Sequence, residues 1–163
     1  VEFVTRSTGT WTLVMLCVVL AVTPLRRLSG WGRLMRLRRM LGLFVFFYAL
    51  LHVTTWVWLD RWFDVAGMLA GVGKRPFITA GFTAFVLLVP LALTSSDAMI
   101  RRLGRRWTRL HRAVYLVAVL SILHFWWAKA GKNLWEQPLV YGSAVALLLA
   151  WRVIYAGSRR SSA

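Results

Sequence analysis

Twenty consecutive residues, Met40 to Leu59, carry no formal charge. A helix rises about 1.5 Å per residue, so this run is long enough to cross the roughly 30 Å hydrocarbon core of a bilayer. Four further apolar runs accompany it: about Gly9 to Thr23, Phe77 to Thr94, Trp107 to Trp127 and Pro138 to Tyr155. The first is expected to stop at Pro24, the third to kink near Pro90, and the fifth to let Arg152 snorkel at its exit. A 59% hydrophobic fraction over 163 residues places the chain among integral membrane proteins. The expected fold is an all-α helical bundle with five transmembrane helices. Residues 8–156 form one domain, and 157–163 read as a disordered tail. No internal repeat is evident in the residues. Nothing resembles a cleavable signal peptide, because the first run lacks a basic leader and a cleavage site.

The formal net charge of +16 would suggest nucleic acid in a soluble protein. Here the arginines crowd the short segments between apolar runs, where they set topology instead. Arg26, Arg27, Arg33, Arg36, Arg38 and Arg39 lie between the first two runs. Arg101, Arg102, Arg105, Arg106, Arg109 and Arg112 precede or open the fourth, and Arg152, Arg159 and Arg160 end the chain. Fifteen basic residues thus share one side, against six on the other: Arg6, Arg61, Lys74, Arg75, Lys129 and Lys132. The basic loops and the C-terminus are expected in the cytoplasm. The N-terminus, the Asp60–Pro76 loop and the Ala128–Gln137 loop are expected outside. Trp56, Trp58, Trp62, Trp126, Trp127 and Trp135 read as an outer aromatic belt, with Trp31 and Trp107 as anchors at the inner one. Cys17 is the single cysteine, which excludes an intrachain disulfide.

The three histidines are the polar exceptions. Ionisable groups inside a membrane span are costly and mark functional sites. His52 lies thirteen residues beyond Arg39 and His124 fifteen beyond Arg109, so both sit roughly 20 Å from the inner edge. Two imidazoles at one depth on different helices suit the two faces of a b-type haem, with His52 and His124 as iron ligands between the second and fourth helices. No C-x-x-C-H occurs, so such a haem is held without thioether links. A ligating imidazole usually donates its other ring N–H to an oxygen. Ser121, Thr55 and backbone carbonyls are the acceptors in reach, and Gly42 would let a flat ring approach the backbone. His111 lies near the inner face with no second histidine at its level. It is about 140° from His124 around an ideal helix. It suits a second haem, or an anionic group such as a propionate, a flavin phosphate or a lipid head group held with its arginine neighbours.

The run TSSDAMIRRLGRRWTRLHRAVYLVAVLSILHFWW resembles the MsrQ family, within the ferric-reductase-like transmembrane superfamily. Further similar pieces follow family order: STGTWTLVMLCVVLAVTPLRR, RLRRMLGLFVFFYALLHVTTW, KRPFITAG and QPLVYGSAVALLLAWR. Together they cover about Thr8 to Tyr155. The family usually carries six spans, and the one that would precede TGTWTL is not in this sequence. The resemblance maps the family's membrane histidines onto His52, His111 and His124 as cofactor-binding residues. It implies a multi-pass protein of the bacterial inner membrane that contains haem b and FMN. Such a protein draws electrons from the quinone pool or a flavin donor. It passes them to a periplasmic molybdopterin methionine sulfoxide reductase, an MsrP-like subunit that repairs oxidised envelope proteins. The chain would be an electron-transfer subunit rather than the catalytic one, with membrane lipid as its other partner. No Rossmann fingerprint or phosphate-cradling glycine loop is present to hold the flavin. The residues also leave open the membrane domain of a ferric or cupric reductase, and a non-redox transporter or scaffold.

Overall fold

The computed structural model describes residues 2–130 and 134–158, apart from the side chains at 60, 69 and 156–158. All regular elements among them are helical. In chain order these are α1 (Glu2–Ser29), α2 (Leu34–Thr55), a π-helical turn (Trp56–Asp60), α3 (Val65–Lys74), α4 (Pro76–Leu93), α5 (Asp97–Leu103), α6 (Arg105–His111), α7 (Ala113–Ala130) and α8 (Glu136–Ser158). Five segments are long and apolar enough to cross a membrane: Glu2–Ser29, Leu34–Leu59, Pro76–Leu93, Arg105–Ala130 and Glu136–Tyr155. The five expected spans are therefore present. The tail reading of 157–163 meets helix as far as Ser158, and residues 159–163 lie outside the described residues.

The helix ends depart from expectation for identifiable reasons. α1 does not stop at Pro24 but runs through it to Ser29. Proline lacks the N–H that would bond the carbonyl four residues back, here that of Leu20. Arg152 on α8 fills that vacancy: its Nη2 donates to the Leu20 carbonyl at 2.9 Å, and its Nη1 donates to the Tyr115 hydroxyl at 2.7 Å. Arg152 is thus turned into the bundle, where it ties α8 to α1 and α7, rather than snorkelling. Gly30 closes α1 with φ +73°, its N–H bonding the Arg26 carbonyl at 2.9 Å. That left-handed cap suits a residue without Cβ. Most of the expected Arg26–Arg39 loop is consequently helix. The Asp60–Pro76 loop likewise contains α3, whose N-cap Asp64 accepts the Gly67 N–H at 2.9 Å. Pro76 begins α4, where its missing N–H costs nothing. The expected fourth span is present as Arg105–Ala130, with a single turn residue, Arg112, where α6 passes into α7.

Two hairpins make the core: α1 packs along α2, and α4 along α7. α2 also touches α4, while α8 closes against α1 and α7. Leu16, Leu20, Val45 and Val117 are almost wholly buried where these helices meet. Apolar side chains such as Val86, Leu116, Leu147, Val153 and Ile154 point outward, as helices solvated by lipid require. At the arginine-rich end, Arg39 pairs with Asp97 and so ties α2 to α5. The guanidinium holds the Asp97 carboxyl below the usual carboxylate range. Ser96 caps α5, accepting the Met99 N–H at 3.3 Å.

The hairpins repeat one another. A shift of 72 residues carries His52 onto His124 and Val45 onto Val117. The same shift carries Leu16 onto Leu88 and Val19 onto Leu91, and all six of these apolar residues are buried. α1 and α4 descend toward the arginine-rich end and α2 and α7 return. The halves are therefore related as a parallel repeat, about an axis along the bundle. A repeat that was not evident in the residues is thus visible in the buried positions. Lipid-facing and core positions accept many apolar residues, so the duplication survives in geometry while the letters drift.

Candidate functional site

His52 projects from α2 and His124 from α7, helices that do not form an extended packing face with each other. Their rings meet across the intervening space, with centroids 6.1 Å apart and planes at 75°. Nδ1 of His52 lies 2.8 Å from the Thr5 carbonyl on α1, and Nδ1 of His124 lies 2.7 Å from the Phe77 carbonyl on α4. A carbonyl only accepts, so each Nδ1 must carry the proton. In the neutral ring, Nε2 then keeps its lone pair. Backbone carbonyls thus take the place expected of Ser121 and Thr55. The Thr55 hydroxyl instead donates to the His52 carbonyl at 2.9 Å.

Two glycines that the sequence reading passed over make these bonds possible. A helix carbonyl is normally covered by the residue four positions on. Four residues after Thr5 stands Gly9, and four after Phe77 stands Gly81. A Cβ on Gly9 would lie 3.0 Å from Cε1 of His52, and one on Gly81 would lie 2.6 Å from Nδ1 of His124. Each imidazole therefore lies against a bare patch of backbone. The histidine stands 47 residues after its carbonyl in both hairpins. The available signal was that Gly9 and Gly81 stand 72 residues apart, the same spacing as His52 and His124.

The arrangement offers two oriented nitrogen lone pairs in an apolar setting. Two metal–imidazole bonds of about 2 Å plus the two ring radii separate axial imidazole centroids by roughly 6 Å. The two imidazoles could therefore hold a metal-centred group such as a haem through Nε2, the nitrogen not engaged by a carbonyl.

His111 is not part of this pair. Its ring stacks on Trp107, with centroids 3.9 Å apart, and its Nδ1 lies 3.1 Å from the Trp107 carbonyl. Nε2 is buried without a hydrogen bond; the Leu91 carbonyl lies beside the ring but outside bonding geometry. Trp107 is likewise no simple membrane anchor, since its indole N–H donates to the Thr94 carbonyl at 2.9 Å. His111 and Trp107 line a cavity of about 680 Å³ at the arginine-rich end. Gly42 lines it too, ten residues before His52.

Residues 8–122 match the family model described as the ferric reductase like transmembrane component. A relative from Herminiimonas arsenicoxydans, named protein-methionine-sulfoxide reductase heme-binding subunit MsrQ, is 62% identical over 99% of this chain and 74% of its own length. Proteins of the same name from Bordetella pertussis and Ralstonia nicotianae are 62% and 57% identical, over 100% and 99% of this chain and 79% and 76% of theirs. The chain belongs to the MsrQ family of ferric-reductase-like transmembrane proteins. No solved structure matches it. MsrQ membership agrees with the family expected from the histidine-bearing segments, and with a multi-pass helical membrane protein.

Proposed function

We propose that this MsrQ-family chain is a haem b electron-transfer subunit of the bacterial inner membrane. It takes electrons at its arginine-rich, cytoplasmic end and delivers them at the opposite face. The acceptor is a periplasmic molybdopterin-containing methionine sulfoxide reductase. One observation carries the reading: His52 and His124 each have Nδ1 tied to a backbone carbonyl, with ring centroids 6.1 Å apart. Locking Nδ1–H fixes the ring orientation and raises the basicity of Nε2. His52 and His124 would hold a haem iron from its two faces, and the group would supply one-electron chemistry. Gly9 and Gly81 let the rings seat, while Thr5 and Phe77 hold them. The names of the relatives, heme-binding subunits of a methionine sulfoxide reductase, supply the haem and the acceptor system.

The donor is proposed as the quinone pool or a flavin, FMN in the family. Because the histidine pair lies near the tryptophan-rich face, an inner relay must bridge the remaining depth, and His111 stands where that relay would be. The reading is tested on the purified full chain by absorption spectra, oxidised and reduced, with pyridine haemochrome and flavin extraction. A b-type haem is expected. A preparation that binds no haem when supplied with it would overturn the function.

A further inference from the structure

We propose that Lys74, Arg75 and Lys129, at the tryptophan-rich end of the α4–α7 hairpin, hold the two carboxylates of the haem that His52 and His124 would clasp. This deepens the haem reading and rests on it. The two hairpins match in their histidines, but a haem is not symmetric: both of its carboxylates leave one edge of the ring. Carboxylates among apolar helices need water or a cation. The shift of 72 residues shows where the halves differ in charge at this level. It carries Glu2 onto Lys74, Phe3 onto Arg75 and Val57 onto Lys129. One half thus has three cations where the other has an acid and two apolar residues. Lys74 and Arg75 are exposed, and neither has a salt bridge among the described residues. Lys129 lies over the Phe125 ring, its Nζ 5.5 Å from the centroid, a contact that leaves its charge uncompensated.

Distance along the helices decides which cations are in reach. Arg75 stands two residues before Phe77, whose carbonyl holds His124, so about 3 Å separates them along α4. Lys129 follows His124 by five residues, about 8 Å along α7. The arginines of the opposite end are much farther. Arg39 precedes His52 by thirteen residues and Arg112 precedes His124 by twelve, about 18–20 Å in each case. Other charges at the near end are engaged elsewhere among the described residues. Arg6 pairs with Glu2, and the Asp64 carboxylate accepts the Gly67 N–H. Arg61 stands nine residues past His52, beyond the π-helical turn and over the Trp56 ring. The carboxylate edge therefore faces the tryptophan-rich end, on its α4–α7 side. Bonds between a cation and a carboxylate are of the stronger, charge-assisted kind, and exposure screens them. Their contribution to haem retention is accordingly several-fold, with the iron ligands carrying the rest.

The test follows haem release from the full chain in micelles to excess apomyoglobin. The chain is loaded either with haem b or with its dimethyl ester, which lacks the carboxylate charges. Lys74→Gln/Arg75→Gln and Lys129→Gln remove the cations at the tryptophan-rich end. Arg38→Gln/Arg112→Gln removes two from the opposite end, and Arg101→Gln/Arg102→Gln removes equal charge from α5. We expect Lys74→Gln/Arg75→Gln to release haem b roughly three- to tenfold faster than the wild type, and Lys129→Gln to speed release to a smaller degree. The ester should leave the wild type and these variants at one rate. Both variants of the opposite end should release haem b as the wild type does. Wild-type release of haem b from Lys74→Gln/Arg75→Gln would overturn the assignment. Equal acceleration of haem b and its ester would also overturn it, since that is what a purely structural role gives. Faster release from Arg38→Gln/Arg112→Gln alone would turn the carboxylates toward the arginine-rich end. A chain that takes up neither haem b nor the ester would overturn the haem reading, and the assignment with it.

Discussion

A methyl group at residue 81 would sit 2.6 Å from Nδ1 of His124, closer than any real contact of that kind. Gly81→Ala must therefore push the imidazole off the Phe77 carbonyl or push α4 away from α7. We expect haem content to fall several-fold in Gly81→Ala. Gly9→Ala, where the approach is 3.0 Å, should give a smaller loss. Haem-to-protein ratios at matched expression check this, and unchanged ratios in Gly81→Ala would contradict the cradle. At this scale the histidines were legible in the sequence, because an ionisable group among apolar residues stands out. The glycines were not, because glycine in a membrane helix is usually a packing residue. Nor were the partners of Nδ1 legible, since a backbone carbonyl has no letter. His111 belongs to the other level. His111→Ala should keep the His52–His124 haem spectrum yet slow reduction from the cytoplasmic side. Loss of all haem in His111→Ala would place the iron elsewhere.

Between elements, Pro24 and Arg152 form one device. The helix break expected at Pro24 is absent because a side chain 128 positions later replaces the missing donor. No local reading of the sequence reveals such a partner, and for the same reason Arg152 looked like a snorkelling residue. Leaving a buried carbonyl unsatisfied costs about 1–3 kcal/mol, so Arg152→Met should destabilise the bundle by that order. Pro24→Ala restores the backbone N–H. In the double variant the Leu20 carbonyl has its helical donor, and the loss on removing Arg152 should shrink. A thermal-denaturation cycle measures the coupling, and strictly additive effects would show that Arg152 acts only through Tyr115. Asp97 offers a pH check on the α2–α5 tie. Its carboxyl is depressed by Arg39, so the ion pair contributes above the ordinary carboxylate pKa. That contribution is lost as pH falls through the lowered value. Wild type and Asp97→Asn should differ slightly in stability at neutral pH and converge in acid, a small effect for so exposed a pair.

For the whole molecule, five spans and their order could be read from run length, and the structure keeps them. α3 was missed because ten residues are too few to span and its glycines weaken the helical signal. The parallel repeat was missed because few residue types recur along it, Gly9 with Gly81, Leu16 with Leu88, Val45 with Val117 and His52 with His124 among them. It organises the molecule nonetheless: each hairpin supplies one histidine, one carbonyl and one glycine at the same level. With fifteen basic residues on one side, we expect reporter fusions at Ser29 and Ser96 to lie in the cytoplasm and one at Gly71 in the periplasm. A periplasmic signal at Ser96 would reverse the direction of electron flow.

Paired ligation by His52 and His124 is tested most directly by the absorption spectrum and haem content of His52→Ala and His124→Ala, each purified as the full chain. Either substitution removes one iron ligand and opens a void beside the porphyrin. Each single variant should lose most of its haem or convert to a five-coordinate, high-spin form. The double variant should be little worse than the poorer single one, since the two ligands act as a unit. A normal low-spin spectrum with full haem content in both single variants would contradict the pairing.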